Sequence, residues 1–98
     1  MTQDVRVVAI VESKPGHEEE VEAAIRACVG PSRQDPGCRS YVAHREPGHP
    51  GRFIFVEHWE SRADLSAHEN TPHFKALSGT IQPLLAQPLQ VHLLEVLD

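Results

Sequence analysis

The sequence has few aromatic residues, few cysteines, little basic charge and no long apolar run. Its two cysteines form no Cys-x-x-Cys pair and are too few for a disulfide framework, so we expect a reduced, cytoplasmic domain. Nine Lys and Arg against fourteen Asp and Glu give a formal charge of −5, which argues against nucleic acid or an anionic membrane as a partner. The apolar run over 7–11 is too short for a signal peptide or a membrane span.

What is present suits one domain over 1–98, because the chain has 98 residues and 40% of them are hydrophobic. β-branched residues predict a strand over 5–11, and the glutamates at 18–20 open a helix that Gly30-Pro31 is expected to end or kink. After a turn at 35–37, alternation predicts strands over 38–45 and 53–60, joined by an irregular loop over 47–51. Helical pieces over 62–69 and 71–85 and a strand over 89–97 complete the chain.

This order, βαββαβ, predicts a ferredoxin-like α+β fold with one four-stranded antiparallel sheet and helices on one face only. The first strand is nevertheless apolar on both sides, with Val7 and Ala9 opposing Val8 and Ile10, and the last strand is similar. Soluble monomers do not leave an apolar sheet face bare. The sequence therefore predicts a homodimer that packs sheet against sheet.

Two of the seven histidines, His68 and His73, flank the break between the last two helical pieces. In the zinc motif His-Glu-x-x-His, the two rings share a helix face because they are four residues apart. Here the spacing is five, Thr71-Pro72 interrupts the helix, and no third ligand has a recognisable spacing. The sequence therefore predicts no metal site.

Glu57 interrupts the aromatic face of the third predicted strand, between Phe55 and Trp59. A carboxyl group there must be hydrogen-bonded, and burial raises its pKa. Two interpretations stay open: a buried structural carboxyl beside a core Trp, or a pocket in which a carboxylate–histidine pair moves protons. No nucleophile elbow and no glycine-rich phosphate loop is present.

Several segments resemble the antibiotic biosynthesis monooxygenase (ABM) domain family in order and spacing over nearly the whole chain. They are Pro15-Gly16, Pro36-Gly37-Cys38 with Tyr41, the run from Phe53 through Glu57-His58-Trp59 to Ser61, Leu65, His68, and Thr71-Pro72-His73-Phe74. The resemblance implies a dimeric α+β barrel and oxidation of a small aromatic substrate, a quinol or an anthrone, by O2 without metal, flavin or haem. It implies His68 or His73 as the base, Glu57 as its orienting partner, and pocket walls made by Tyr41, Phe55, Trp59 and Phe74.

Other branches of the family imply different functions. Haem-degrading members carry an Asn, a Trp and a His where this chain has Ala9, His68 and Ser78, which argues against haem. Relatives that isomerise a phosphorylated quorum-sensing sugar share a similar His-x-x-Thr-Pro-His segment. There both histidines would transfer protons, and Arg39, Arg45 or Arg52 would hold the phosphate. A dimeric binding module without catalysis is a third alternative.

Overall fold

The structure, a computed structural model, describes residues 4–98. Within this range the strands are β1 (Val5–Glu12), β2 (Cys38–Glu46), β3 (His49–Trp59) and β4 (Gln90–Leu94). The helices are α1 (Glu18–Arg33), α2 (Arg62–Glu69) and α3 (Pro72–Ile81), and a 3-10 turn, Gln82–Leu84, follows α3. None of the helices in the described range is long and apolar enough to cross a membrane.

The four strands form one antiparallel sheet in the order β2-β3-β1-β4. The first strand lies in the middle, where Val7 is opposite Glu57 of β3 and Leu93 of β4. This order, with the helices connecting non-neighbouring strands, confirms the ferredoxin-like α+β fold.

The two faces of the sheet differ because successive side chains of a strand point to opposite sides. The helix-covered face is buried and meets the apolar stripes of α1 and α3; the core residues include Val7, Val11, Val21, Ile25, Phe53, Phe55, Trp59, Leu77 and Ile81. On the other face Val42 and Val56 are 40% and 46% exposed. One side of the sheet is therefore left open, as the apolar pattern of the strands predicts.

The first helix runs through Pro31 to Arg33, beyond the point where Gly30-Pro31 was expected to end it. Proline removes one backbone donor from the helix interior, so another interaction must hold the last turn in place. Ser32 is the buried residue of that turn, with its Oγ 3.3 Å from Sγ of the buried Cys28 one turn earlier. Arg33 donates from Nε to the carbonyl of Tyr41 on β2 at 3.0 Å, and these contacts explain why the helix continues.

Two other boundaries differ from the sequence-based expectation. The prediction of an irregular loop over 47–51 is wrong. Only Pro47 and Gly48 form a turn, and β3 already begins at His49. Gly48 has a φ of +83°, as a Pro-Gly type II turn requires. The last strand is shorter than expected and ends at Leu94. Leu94 pairs with Arg6, the second residue of β1, so almost none of β1 is left to pair with residues after Leu94.

Candidate active site

The sheet and the segment from α2 to β4 line an open cavity of about 550 Å3, a size typical of small-molecule sites. Its walls are mostly apolar and include Val7, Ala9, Tyr41, Phe55, Leu65, Phe74 and Leu77. The polar side chains that line it include Glu57 and His68. None of the lining residues is Lys or Arg. The cavity therefore suits a small, largely apolar ligand that carries few polar groups.

One carboxylate oxygen joins the two histidines that flank the helix break. Oδ2 of Asp35 lies 2.8 Å from Nδ1 of His68 and 2.8 Å from Nε2 of His73. We call these three side chains the Asp35 cluster. The expectation that a spacing of five residues separates the rings is wrong, since both contact the same oxygen. Asp35 was expected only to form a turn, and no sequence pattern marks its contact with residues 33 and 38 positions away.

The break between α2 and α3 aims the two rings at Asp35. Thr71 caps α3 by accepting a hydrogen bond from the backbone N–H of Phe74, and its hydroxyl donates to the carbonyl of His68 at 2.7 Å. Pro72 then occupies the first turn of α3, where a backbone N–H would have no partner within the helix. His68 lies in the last turn of α2 and His73 in the first turn of α3, so the change of axis compensates for the spacing.

His68 is 2% exposed and lies among aromatic rings. Its ring centroid is 4.6 Å from that of Trp59, 5.4 Å from Tyr41 and 5.1 Å from Phe74. An ionised carboxylate can only accept hydrogen bonds, so Nδ1 of His68 carries the proton in its bond to Asp35. The Nε2 atom is left as the nitrogen that can accept a proton from a ligand in the cavity, which His68 lines.

Glu57 lies on the cavity floor and is 7% exposed. Burial raises its pKa to about 7; the hydrogen bond from Nε1 of Trp59 lowers the value, and the charge of Glu69 raises it. That hydrogen bond is 2.8 Å long. The resemblance assigns Glu57 to orient a histidine, but the carboxylate that contacts His68 is Asp35. Near neutral pH the Glu57 carboxyl therefore exists in both the neutral and the charged form.

Some of the remaining predicted site residues line the cavity, and others lie behind its wall. Tyr41, Phe55 and Phe74 line the cavity, whereas Trp59 is buried and meets Glu57 and His68. Burial, with the nearby Cys28 and Glu57, raises the pKa of Tyr41, so its hydroxyl stays protonated. His73 does not line the cavity, is 21% exposed and reaches Asp35 from the far side.

The three arginines considered for a phosphate clamp lie elsewhere. Arg39 pairs with Glu60 at 3.7 Å, Arg45 pairs with Glu22, and Arg52 pairs with Glu12 and Glu46. None of the three lines the cavity. Among residues 4–98 no guanidinium lines the cavity, so these three arginines do not form a phosphate clamp there.

Fold and cavity together define a ferredoxin-like α+β domain with an open, largely apolar cavity between the sheet and its helices. The family model described as "Antibiotic biosynthesis monooxygenase" matches residues 4–79. The chain therefore belongs to the antibiotic biosynthesis monooxygenase family, and the resemblance in its motifs is confirmed.

Three relatives illustrate the match. The chain is 32% identical over 92 residues to the Synechocystis sp. protein sll1783, of whose length it spans 63%. It is 32% identical over 98 residues to "Putative monooxygenase Rv0793" of Mycobacterium tuberculosis, covering all of this chain and 96% of that protein. The solved structure of Rv0793 covers 97% of this chain and 96% of its own with a TM-score of 0.91. "Probable quinol monooxygenase YgiN" of Escherichia coli is 29% identical over 86 residues, 78% of this chain and 83% of that protein.

Proposed function

We propose that the protein is a monooxygenase that oxidises a small aromatic substrate, a quinol or an anthrone-like compound, with O2 and without a cofactor. The observation that carries this proposal is the orientation of His68, which Asp35 holds at Nδ1 while the ring borders a largely apolar cavity. The names of the relatives, one a monooxygenase and one a quinol monooxygenase, support the same class of reaction.

In the proposed reaction the substrate itself supplies the electrons. Nε2 of His68 removes an acidic proton from the substrate, and the negative charge of Asp35 stabilises the imidazolium that forms. The substrate anion passes one electron to O2, and the resulting radical and superoxide combine into a carbon-bound peroxide. In an anthrone-like substrate the methylene carbon becomes a carbonyl, and its two hydrogens leave with the second oxygen atom as water. The balance is one substrate and one O2 to one ketone and one water.

Glu57 and the aromatic walls have separate roles in this proposal. A neutral Glu57 carboxyl can donate its proton in a hydrogen bond to a substrate or peroxide oxygen while it accepts from Trp59. The pKa of about 7 makes this form available at neutral pH. Tyr41, Phe55 and Phe74 would bind the substrate ring and exclude the water that would quench the anion.

We further propose a cytoplasmic homodimer formed through the open sheet face. Val56 on the inner strand β3 and Val42 opposite it on the edge strand β2 are exposed on that face, and a second copy of the same surface would cover them. Cys28 and Cys38 are both free thiols, which fits a reducing compartment.

The test is O2 uptake by metal-free protein across a panel of quinols and anthrones. We expect uptake above autoxidation, and we expect His68→Ala to lower the rate at least about 100-fold because general base catalysis contributes that much. His17→Gln is the matched control, since His17 also pairs with a carboxylate, Glu20, but lies exposed at the start of α1. Equal rates in His68→Ala and wild type, or no uptake with any substrate, would contradict the proposal.

A further inference from the structure

We propose that the Asp35 cluster is a binding site for a divalent transition-metal ion of the zinc type. Its three potential ligand atoms, Oδ2 of Asp35, Nδ1 of His68 and Nε2 of His73, all lie within 4.8 Å of one another. Two imidazoles and one carboxylate form a donor set that zinc, cobalt and ferrous iron accept in proteins. This inference goes beyond the proposed function, which needs no metal.

Two of the three distances in the cluster are short enough for one shared ion. Two ligand atoms that each lie about 2.0–2.1 Å from an ion are about 2.9 Å apart at a right angle and about 3.4 Å apart in a tetrahedron. Both nitrogen–oxygen distances in the cluster are 2.8 Å. An ion that replaces the two N–H protons therefore requires the two nitrogen–oxygen distances to lengthen by about half an ångström, and the two nitrogens, which lie within 4.8 Å of one another, to take positions about 3.4 Å apart.

The three ligands come from three separate segments that are already fixed. Asp35 follows α1, and its own backbone N–H bonds to the carbonyl of Ser32. His68 and His73 are held on either side of the break by the cap at Thr71. Ion binding at this site therefore requires no further folding, because the entropy of ordering the ligands has already been lost when the chain folds.

The charge of the cluster favours a cation. The Asp35 side chain is only 10% exposed, and among residues 4–98 its ion pairs go to His68 and His73 alone. Neutral imidazoles donate hydrogen bonds but bring no positive charge to this carboxylate. A divalent ion would neutralise it, and the part-exposed side of His73 leaves room for a water ligand.

Metal binding would also change the nitrogen of His68 that is left for the cavity. A neutral imidazole has one N–H, which lies on Nδ1 when that atom donates to Asp35. An ion that takes the lone pair of Nδ1 moves this proton to Nε2, with no net change in the number of protons. Nε2 then donates and no longer accepts. This consequence rests on the proposed function, because it predicts that the bound ion inhibits O2 uptake.

The experiment measures binding without any substrate. Chelator-treated full-length protein is titrated with Zn2+ by calorimetry and with Co2+ by visible absorption. We expect one ion per chain and a Co2+ spectrum of low symmetry. Asp35→Asn and His73→Gln should each weaken binding at least about tenfold, whereas His17→Gln, which alters a two-donor pair outside the cluster, should not change it.

Either of two results would overturn the proposal: no saturable binding of Zn2+ or Co2+ by the wild type, or unchanged affinity in both cluster variants. Circular dichroism checks that each variant is folded, and His73→Gln, at a part-exposed position, serves if Asp35→Asn does not fold. The binding titration and the O2 assay can fail independently. A site that binds Zn2+ in a protein without oxygenase activity would leave this inference standing and contradict only the proposed function.

Discussion

The substitution Glu57→Gln tests whether burial of one carboxyl group makes the protein less stable as the pH rises. Glutamine keeps the size of the side chain and can accept the hydrogen bond from Trp59, but it cannot ionise. The pKa of Glu57 in the folded protein is about 7, against an ordinary value of 4.5 in an unfolded chain. Between these values the unfolded chain has lost the proton while the folded chain keeps it, so the folded state binds more protons.

The sign and size of the effect follow from that difference. The extra stability from the neutral Glu57 is fully present below pH 4.5, falls as the pH rises, and is lost above about pH 7. At about 1.4 kcal/mol per pKa unit, the gap between the two values corresponds to about 3 kcal/mol. The group is nearly inaccessible to solvent, so screening by water takes little from this figure.

The assay is urea unfolding of wild type and Glu57→Gln at one protein concentration across pH values from about 4 to about 8. Trp59 is the single tryptophan of the chain and contacts Glu57, so its fluorescence reports on the surroundings of this carboxyl group. Relative to the wild type, the variant should gain about 3 kcal/mol as the pH rises. Parallel stability curves would refute the reasoning, because other titrating groups act equally on both proteins.

Two further predictions follow from the same structure. Trp59→Phe removes the hydrogen bond that lowers the pKa of Glu57, so the pH interval over which stability is lost should extend to higher pH in urea unfolding followed by circular dichroism; an unchanged interval would contradict this. Val56→Lys places a charge at the centre of the open sheet face and should give a monomer in sedimentation at micromolar concentration, with an unchanged circular dichroism spectrum; a persistent dimer would locate the interface elsewhere.

The fold could be predicted from the sequence because local signals agree with one another. β-branched runs, the Pro-Gly turns and the caps Ser61 and Thr71 mark the elements in their observed order. Boundaries failed where tertiary contacts decide them: α1 passes Pro31 because Ser32 is buried and Arg33 bonds to the carbonyl of Tyr41, and β4 ends near the point where β1 begins.

The candidate site was only half visible in the sequence. Glu57 stands out because it interrupts an aromatic face, and His68 because it flanks a helix break; both line the cavity. Asp35 gave no signal, since an Asp before Pro-Gly is what a turn requires anyway. Spacing rules for helical ligands failed for His73 because they assume one continuous axis, whereas Thr71-Pro72 starts a second helix.

The buried His68 ring lines the cavity near the end of α2, whereas exposed residues at the last strand line another part of the same cavity. Leu89 and Val91 line the cavity near the last strand and are 40% and 47% exposed, so changing them costs the fold little. His68, by contrast, is tied to Asp35 and surrounded by rings. Under the proposed function, part of the ligand contact and the proton transfer are therefore carried by separate residues. Substitutions confined to positions 89 and 91, in evolution or in a mutant library, can change the surface that contacts the ligand without altering the Asp35–His68 contact.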